Sequence, residues 1–201
     1  MSLLELRTLD FLDSIAGPEP TPGGGSAAAL AGATAAALVE MVCSMSKTRG
    51  GLPQERARLD AAKAAAGEAG ARLRLLVDQD ADAYDSVVAA YGMPKATEDE
   101  KGRRRSSVAL AMKRATEIPL GTAEACLVVL KAAQEAAAHG NPNALSDARA
   151  GAALAWAGLV GALENVRINA AAEGWGKNAL DRADTLQLDA QQRARELKLL
   201  R

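Results

Sequence analysis

Aromatic side chains are almost missing from this chain: one Phe, two Trp and two Tyr make up 2% of its 201 residues. A core without large rings must be filled by Ala, Leu and Val, whose small side chains let helices approach closely. Histidine occurs once, at His139, and no grouping of His, Cys and carboxylates has metal-ligand spacing, so no metal site is expected. Only two cysteines are present, Cys43 and Cys126, both inside apolar helical stretches where a free buried thiol is usual. They suit a reducing, cytoplasmic setting. No block of one charge sign dominates: 24 Lys and Arg are interspersed with 25 Asp and Glu for a net charge of −1, which argues against a nucleic-acid-binding surface. The one basic cluster, Arg103-Arg104-Arg105, reads either as a solvated helix face or as a patch that attracts anions.

The amino terminus lacks the basic region, unbroken apolar core and cleavage site of a secretory signal. The most apolar stretch, Ser26 to Val42, carries no charge before Glu40 and approaches membrane-spanning length. Its richness in alanine, a weak membrane residue, makes a soluble core helix the better account, and no membrane partner is expected.

What the chain does have is helical periodicity almost throughout. No run of β-branched and aromatic residues bounded by turns points to a sheet. The reading is an all-α, single-domain bundle of about six or seven helices covering residues 1–201. A first helix spans about Ser2 to Ala16, and the prolines of Gly17-Pro18-Glu19-Pro20 then break the backbone. A second starts near Gly25 or Ser26 and ends near Thr48. A third runs from Pro53 to Tyr91, long enough to kink at Gly67 or Gly70. Thr97 and Glu100 form a capping box for a fourth, which Pro119 is expected to interrupt. Gly121 to Ala138, Leu145 to Ala171 and Lys177 onward complete the set.

The glycine run Gly23-Gly24-Gly25, followed by Ser26, satisfies a loose dinucleotide fingerprint but lacks the preceding strand that fingerprint requires. A phosphate-binding loop fails as well, because its Gly-Lys-Ser/Thr ending is missing. A helix amino terminus with bare N–H groups remains, suited to a carboxylate or another polarised oxygen, or serving only as a turn.

Several segments together carry a family resemblance. "PTPGGGSAAALAGATAAALVEMV", "DQDADAYDSVVAAY", "RATEIPL" and "GNPNALSDARAGAALAWAGLVGALENVRINA" follow one another in the chain. In that order they resemble the cyclodeaminase/cyclohydrolase family of folate-handling domains over nearly the whole length. The resemblance implies an all-α domain that forms a homodimer and acts on the one-carbon unit bridging N5 and N10 of tetrahydrofolate. It implies no cofactor beyond that substrate. With no transferase segment ahead of Met1, hydrolysis of the methenyl form is the expected reaction. Ammonia-releasing cyclodeamination is the alternative, and a non-catalytic folate-binding or assembly module the second alternative.

Both reactions need an acid and a base beside one carbon, and carboxylates are the available groups. Asp80 shares one helical face with Tyr84, Val87 and Tyr91 and is a candidate for proton transfer or pterin recognition, whereas Asp82 and Asp85 point elsewhere. Glu40, within the apolar second helix, is a further catalytic candidate whose alternative role is a salt bridge. Asp147 is the third, with Asn143 and Ser146 beside it at the start of a helix, where capping is their default role. Asn165 and Asn169 lie one turn apart further along that helix. From Asp147 to Asn165 is five turns, about 27 Å, so the two ends must serve different parts of an extended ligand or sites completed across a dimer. Gly23, Gly24, Gly25 and Ser26 complete the expected substrate contacts.

Overall fold

The computed structural model describes residues 2–171 and 176–200. Six α-helices account for nearly all of them: α1 Thr8–Ala16, α2 Gly24–Ser44, α3 Pro53–Gly92, α4 Glu98–His139, α5 Leu145–Ala171 and α6 Lys177–Glu196. Two short 3-10 turns, Leu3–Glu5 and Pro142–Ala144, precede α1 and α5, and no strand occurs among the described residues. The all-helical expectation holds.

Helix α2 lies against α3, α4 and α5, with α4 also packed on α3 and α5, and α6 across α4 and α5. Its composition explains the arrangement. Ala28, Ala29, Ala33, Ala35 and Ala36 are buried on several sides at once, a geometry that larger residues would prevent. This helix has the length and hydropathy of a membrane span, yet more than half of its most apolar stretch is buried inside the bundle. The larger apolar groups fill the space between helices: Leu59 and Leu73 from α3, Leu130 from α4, Leu159 and Leu163 from α5, all fully buried.

Three sequence expectations change. The opening helix is two elements, a 3-10 turn and α1, separated by Leu6 and Arg7. Helix α3 runs unbroken through Gly67 and Gly70, which allow close approach instead of a kink. A β-carbon on Gly70 would stand 2.9 Å from that of Ala36, and one on Gly67 would meet the Glu40 carboxylate at 3.4 Å. Helix α4 also continues through Pro119, so the two helices expected on either side of it are one 42-residue element.

Pro119 has no N–H to offer Ala115, four residues earlier, and in most helices that missing bond breaks the run. Here the Asn169 side chain of α5 donates to the Ala115 carbonyl oxygen at 2.6 Å. The orphaned acceptor is satisfied from a neighbouring helix, and Pro119 itself is fully buried. The Thr97 and Glu100 capping box forms as read, with the Glu100 amide donating to Thr97 Oγ1 at 3.2 Å and the Thr97 amide to Glu100 Oε2 at 3.0 Å.

Candidate functional site

A cleft of about 330 Å³ opens where the start of α2 meets the last third of α3, the first half of α4 and the end of α5. Gly23, Gly24 and Gly25 form one wall. Asp80, Tyr84 and Val87 form the second, and Asn165, Ile168 and Asn169 the third. Met112 and Ala115 close it from α4.

Asp80 is the cleft's carboxylate, and its placement depends on α2 lacking side chains at one point. Its carboxyl group rests against Gly25, where an added β-carbon would overlap it. Ser26, the next residue and fully buried, directs its hydroxyl to the Val77 carbonyl at 2.9 Å and to Asp80 Oδ2 at 3.3 Å. Burial pushes the Asp80 pKa up, and hydrogen bonds from Ser26 pull it part of the way back. The result is a carboxyl group able to hold or release a proton at higher pH than an ordinary aspartate. It faces the uncapped amino terminus of α2, where Gly23 supplies no side-chain cap to the first N–H groups.

The two asparagines are fixed by their own amides. Asn165 Nδ2 donates to the Gly161 carbonyl at 3.0 Å, and Asn169 Nδ2 to that of Ala115. Each side chain thus spends one N–H on the protein, and both line the cleft, where Asn165 Nδ2 is the atom facing Gly24. Asp80 and the two amide side chains give the cleft a carboxylate and two hydrogen-bonding amides, groups that suit a heterocycle with several polar edge atoms. Ile168, 71% exposed, and Tyr84, 42% exposed, supply apolar surface beside it.

Of the expected site residues, the structure brings together Gly23, Gly24, Gly25, Ser26, Asp80, Asn165 and Asn169. It does not bring Glu40, Asn143, Ser146 or Asp147 to them within one chain. Glu40 lies some 22 Å further along α2, half-buried against Gly67 and Gly70 of α3, and has no salt-bridge partner within 4.0 Å among the described residues. Asn143 and Ser146 are exposed, and Asp147 is half-buried in the first turn of α5. Asn141 caps the 3-10 turn that leads into α5, its side chain accepting from the Asn143 amide at 3.0 Å. Asp82 and Asp85 are exposed, as their spacing predicts, and Tyr91 lies beyond the cleft under Arg104. Sequence reasoning missed Met112, Ala115 and Ile168 in the cleft wall, and the bearing of Pro119 on the Ala115 carbonyl. The signal was the proline itself, which leaves one helical carbonyl needing a donor.

A helical bundle holding a cleft around one half-buried carboxyl group is the class the fold defines. The chain belongs to the formiminotransferase-cyclodeaminase family, which it matches over residues 7–173. It is similar to a methenyltetrahydrofolate cyclohydrolase of Methylorubrum extorquens, 41% identical over 162 residues that cover 80% of this chain and 77% of that protein. It is also similar to the formimidoyltransferase-cyclodeaminase of Rattus norvegicus, 34% identical over 168 residues, 84% of this chain but only 31% of that longer protein. Among solved structures, a formiminotetrahydrofolate cyclodeaminase from Thermotoga maritima superposes with a TM-score of 0.85 at 26% identity, covering 98% of this chain and 96% of that one.

Proposed function

We propose that this protein hydrolyses 5,10-methenyltetrahydrofolate to 10-formyltetrahydrofolate. The observation that carries the reading is Asp80: a carboxyl group of raised pKa, held by Ser26, in a cleft it shares with Asn165 and Asn169. The similarity to a methenyltetrahydrofolate cyclohydrolase over four fifths of the chain supports it.

The bridging carbon of the substrate is a cationic amidinium, and an ionised carboxylate beside it lowers the cost of that charge. Asp80 accepts a proton as water adds to this carbon. As the C–N5 bond of the tetrahedral adduct breaks, a proton is delivered to N5, and the oxygen becomes the formyl carbonyl. One proton per turnover is released in all. The Asn165 and Asn169 side-chain amides hydrogen-bond the polar edge of the pterin, and the bare α2 terminus donates to its carbonyl. No metal, redox cofactor or covalent nucleophile enters this chemistry, which takes only the methenyl substrate and water. Glu40, Asn143, Ser146 and Asp147 take part only where a second protomer brings them to the cleft. A homodimer belongs to the same reading, supported by exposed Leu75, Leu110, Ile168 and Leu188. A cytoplasmic setting, without membrane or nucleic-acid partners, accords with two buried free thiols and a near-neutral net charge.

Purified protein mixed with methenyltetrahydrofolate is expected to bleach the methenyl absorbance far faster than buffer does. A rate equal to buffer overturns the reading. The near end-to-end match to a cyclodeaminase structure favours one second reading, ring closure of 5-formiminotetrahydrofolate with loss of ammonia. Ammonia release from that substrate, with no effect on methenyltetrahydrofolate, would establish it instead.

A further inference from the structure

The basic cluster Arg103-Arg104-Arg105 has no part in the cleft described above, yet it stands beside it. Beyond Val87 on α3 and Met112 on α4, a second depression of about 490 Å³ opens over Tyr91. Lys95, Lys101, Arg104 and Arg105 line it, with Val108 at its base, and no carboxylate is among its lining residues. Both of its walls continue those of the cleft: Tyr91 lies one helical turn past Val87, and Val108 one turn past Met112. Val87, Ala90, Val108, Ala111 and Met112 pack into one small apolar cluster, separate from the main core, which floors both depressions. The two depressions are neighbours along α3 and α4, one holding the Asp80 carboxyl group and the other cationic.

The cations differ in how far they are already used. Arg103 is paired with Asp99, and Lys101 with Glu98 at 2.7 Å. Arg104 is held in place without a carboxylate: its Nε and Nη2 donate to the Tyr91 carbonyl at 3.2 and 3.1 Å, and its guanidinium carbon lies 5.3 Å from the Tyr91 ring centre. Lys95 and Arg105 have no carboxylate within 4.0 Å among the described residues. Three cations therefore face one depression with their charge uncompensated or only partly satisfied. That arrangement repels its own members and is relieved by an anion.

We propose that this basic depression seats the carboxylates at the glutamyl end of a folate whose pterin lies in the Asp80 cleft. The proposal rests on the folate reading of the cleft. From Asp80 to Tyr91 is three helical turns, about 16 Å, a span suited to the rigid p-aminobenzoyl spacer that separates the two ends of the molecule. Val87 and Tyr84 offer that spacer an apolar path. Arg105 and Lys95 provide the charge-assisted contacts, and Arg104, anchored on Tyr91, keeps the depression open.

Calorimetry with tetrahydrofolate and with tetrahydropteroate, which shares the pterin and benzoyl groups but lacks the glutamate, tests this directly. Wild-type protein is expected to bind tetrahydrofolate at least about tenfold more tightly. Lys95→Ala and Arg105→Ala, both exposed positions, should each shrink that ratio severalfold and leave tetrahydropteroate affinity unchanged, with far-UV circular dichroism verifying the fold. Added salt should weaken tetrahydrofolate alone. Equal affinity for the two ligands, or a ratio insensitive to both substitutions, overturns the tail site and leaves the cleft reading standing. Binding of neither ligand overturns the folate reading, and the tail site with it.

Discussion

The Asp80 carboxyl group occupies the space that a side chain on Gly25 would take. The two residues lie 55 positions apart, and one fixes what the other is allowed to be. What stands in the way of a β-carbon is the end of a side chain, so Gly25→Ala need not disturb the backbone. The variant should fold with nearly unchanged thermal stability while Asp80 swings out of place. Turnover of methenyltetrahydrofolate should fall about a hundredfold. A variant that keeps full activity would show that Asp80 does not need its present position.

Asp80→Asn should cost about two to four orders of magnitude in rate, the range for loss of a general acid-base group. It should also make the protein more stable at neutral pH. The sign follows from the raised pKa: the folded state holds this proton more tightly than the unfolded chain does. The stability that Asp80 contributes is therefore greatest at low pH and lost as pH climbs from the ordinary aspartate range through the raised value. Asparagine cannot ionise and escapes that loss. Thermal melts of both proteins at pH 7 and at pH 4 check this, with the gap between them expected to narrow in acid.

Because Ser26 lowers the Asp80 pKa, removing its hydroxyl moves the rate profile in a known direction. Activity that depends on ionised Asp80 rises with pH through that pKa. In Ser26→Ala the rising limb should shift to higher pH, with a stability loss of about 1 kcal/mol for the buried hydrogen bond. A limb that stays fixed would detach the profile from Asp80.

Pro119→Ala restores an N–H that competes with Asn169 for the Ala115 carbonyl. Helix α4 should melt no earlier, since alanine favours the helix far more than proline. Asn169 would lose its exclusive anchor, and binding of the reduced folate should weaken about fivefold, equivalent to one ordinary hydrogen bond. Calorimetric affinity alongside a melting curve separates these two effects.

Two glycines of α5 should respond in opposite ways to alanine. A β-carbon on Gly158 would sit 2.7 Å from the Ala28 carbonyl oxygen and 3.1 Å from Cys126 Sγ, forcing α5 away from α2. The expected loss is about 1–3 kcal/mol. At Gly161 the nearest atom is the Ala28 β-carbon at an ordinary 3.5 Å, and alanine should leave stability unchanged or raise it by up to about 1 kcal/mol. Chemical denaturation of both variants measures the contrast.

The helices were legible because their signals are local: alanine-rich periodicity, the Thr97 and Glu100 cap, and breaks at Gly17-Pro18 and Gly92-Met93-Pro94. Asp80 was legible for a similar reason, since Tyr84 and Val87 share its face at helical spacing. Pro119 misled because its local penalty is real and its remedy comes from Asn169, 50 residues later, which no window along the chain contains. Gly67 and Gly70 misled in the same way, as room for Ala36 and Glu40 is a property of a pair of helices. Glu40 and Asp147 could be singled out for their chemical type, but their distance from Asp80 depends on how α2, α3 and α5 are stacked.

The bond from Asn169 to the Ala115 carbonyl makes positions 119 and 169 a single unit of variation. A chain that regains an amide donor at 119 no longer requires one at 169, and a chain that loses the amide at 169 can ill afford a proline at 119. Substitutions at the two sites should therefore be accepted together or in a fixed order. A library randomised at both positions and selected for folding should return correlated pairs, with proline at 119 retained chiefly where 169 can still donate.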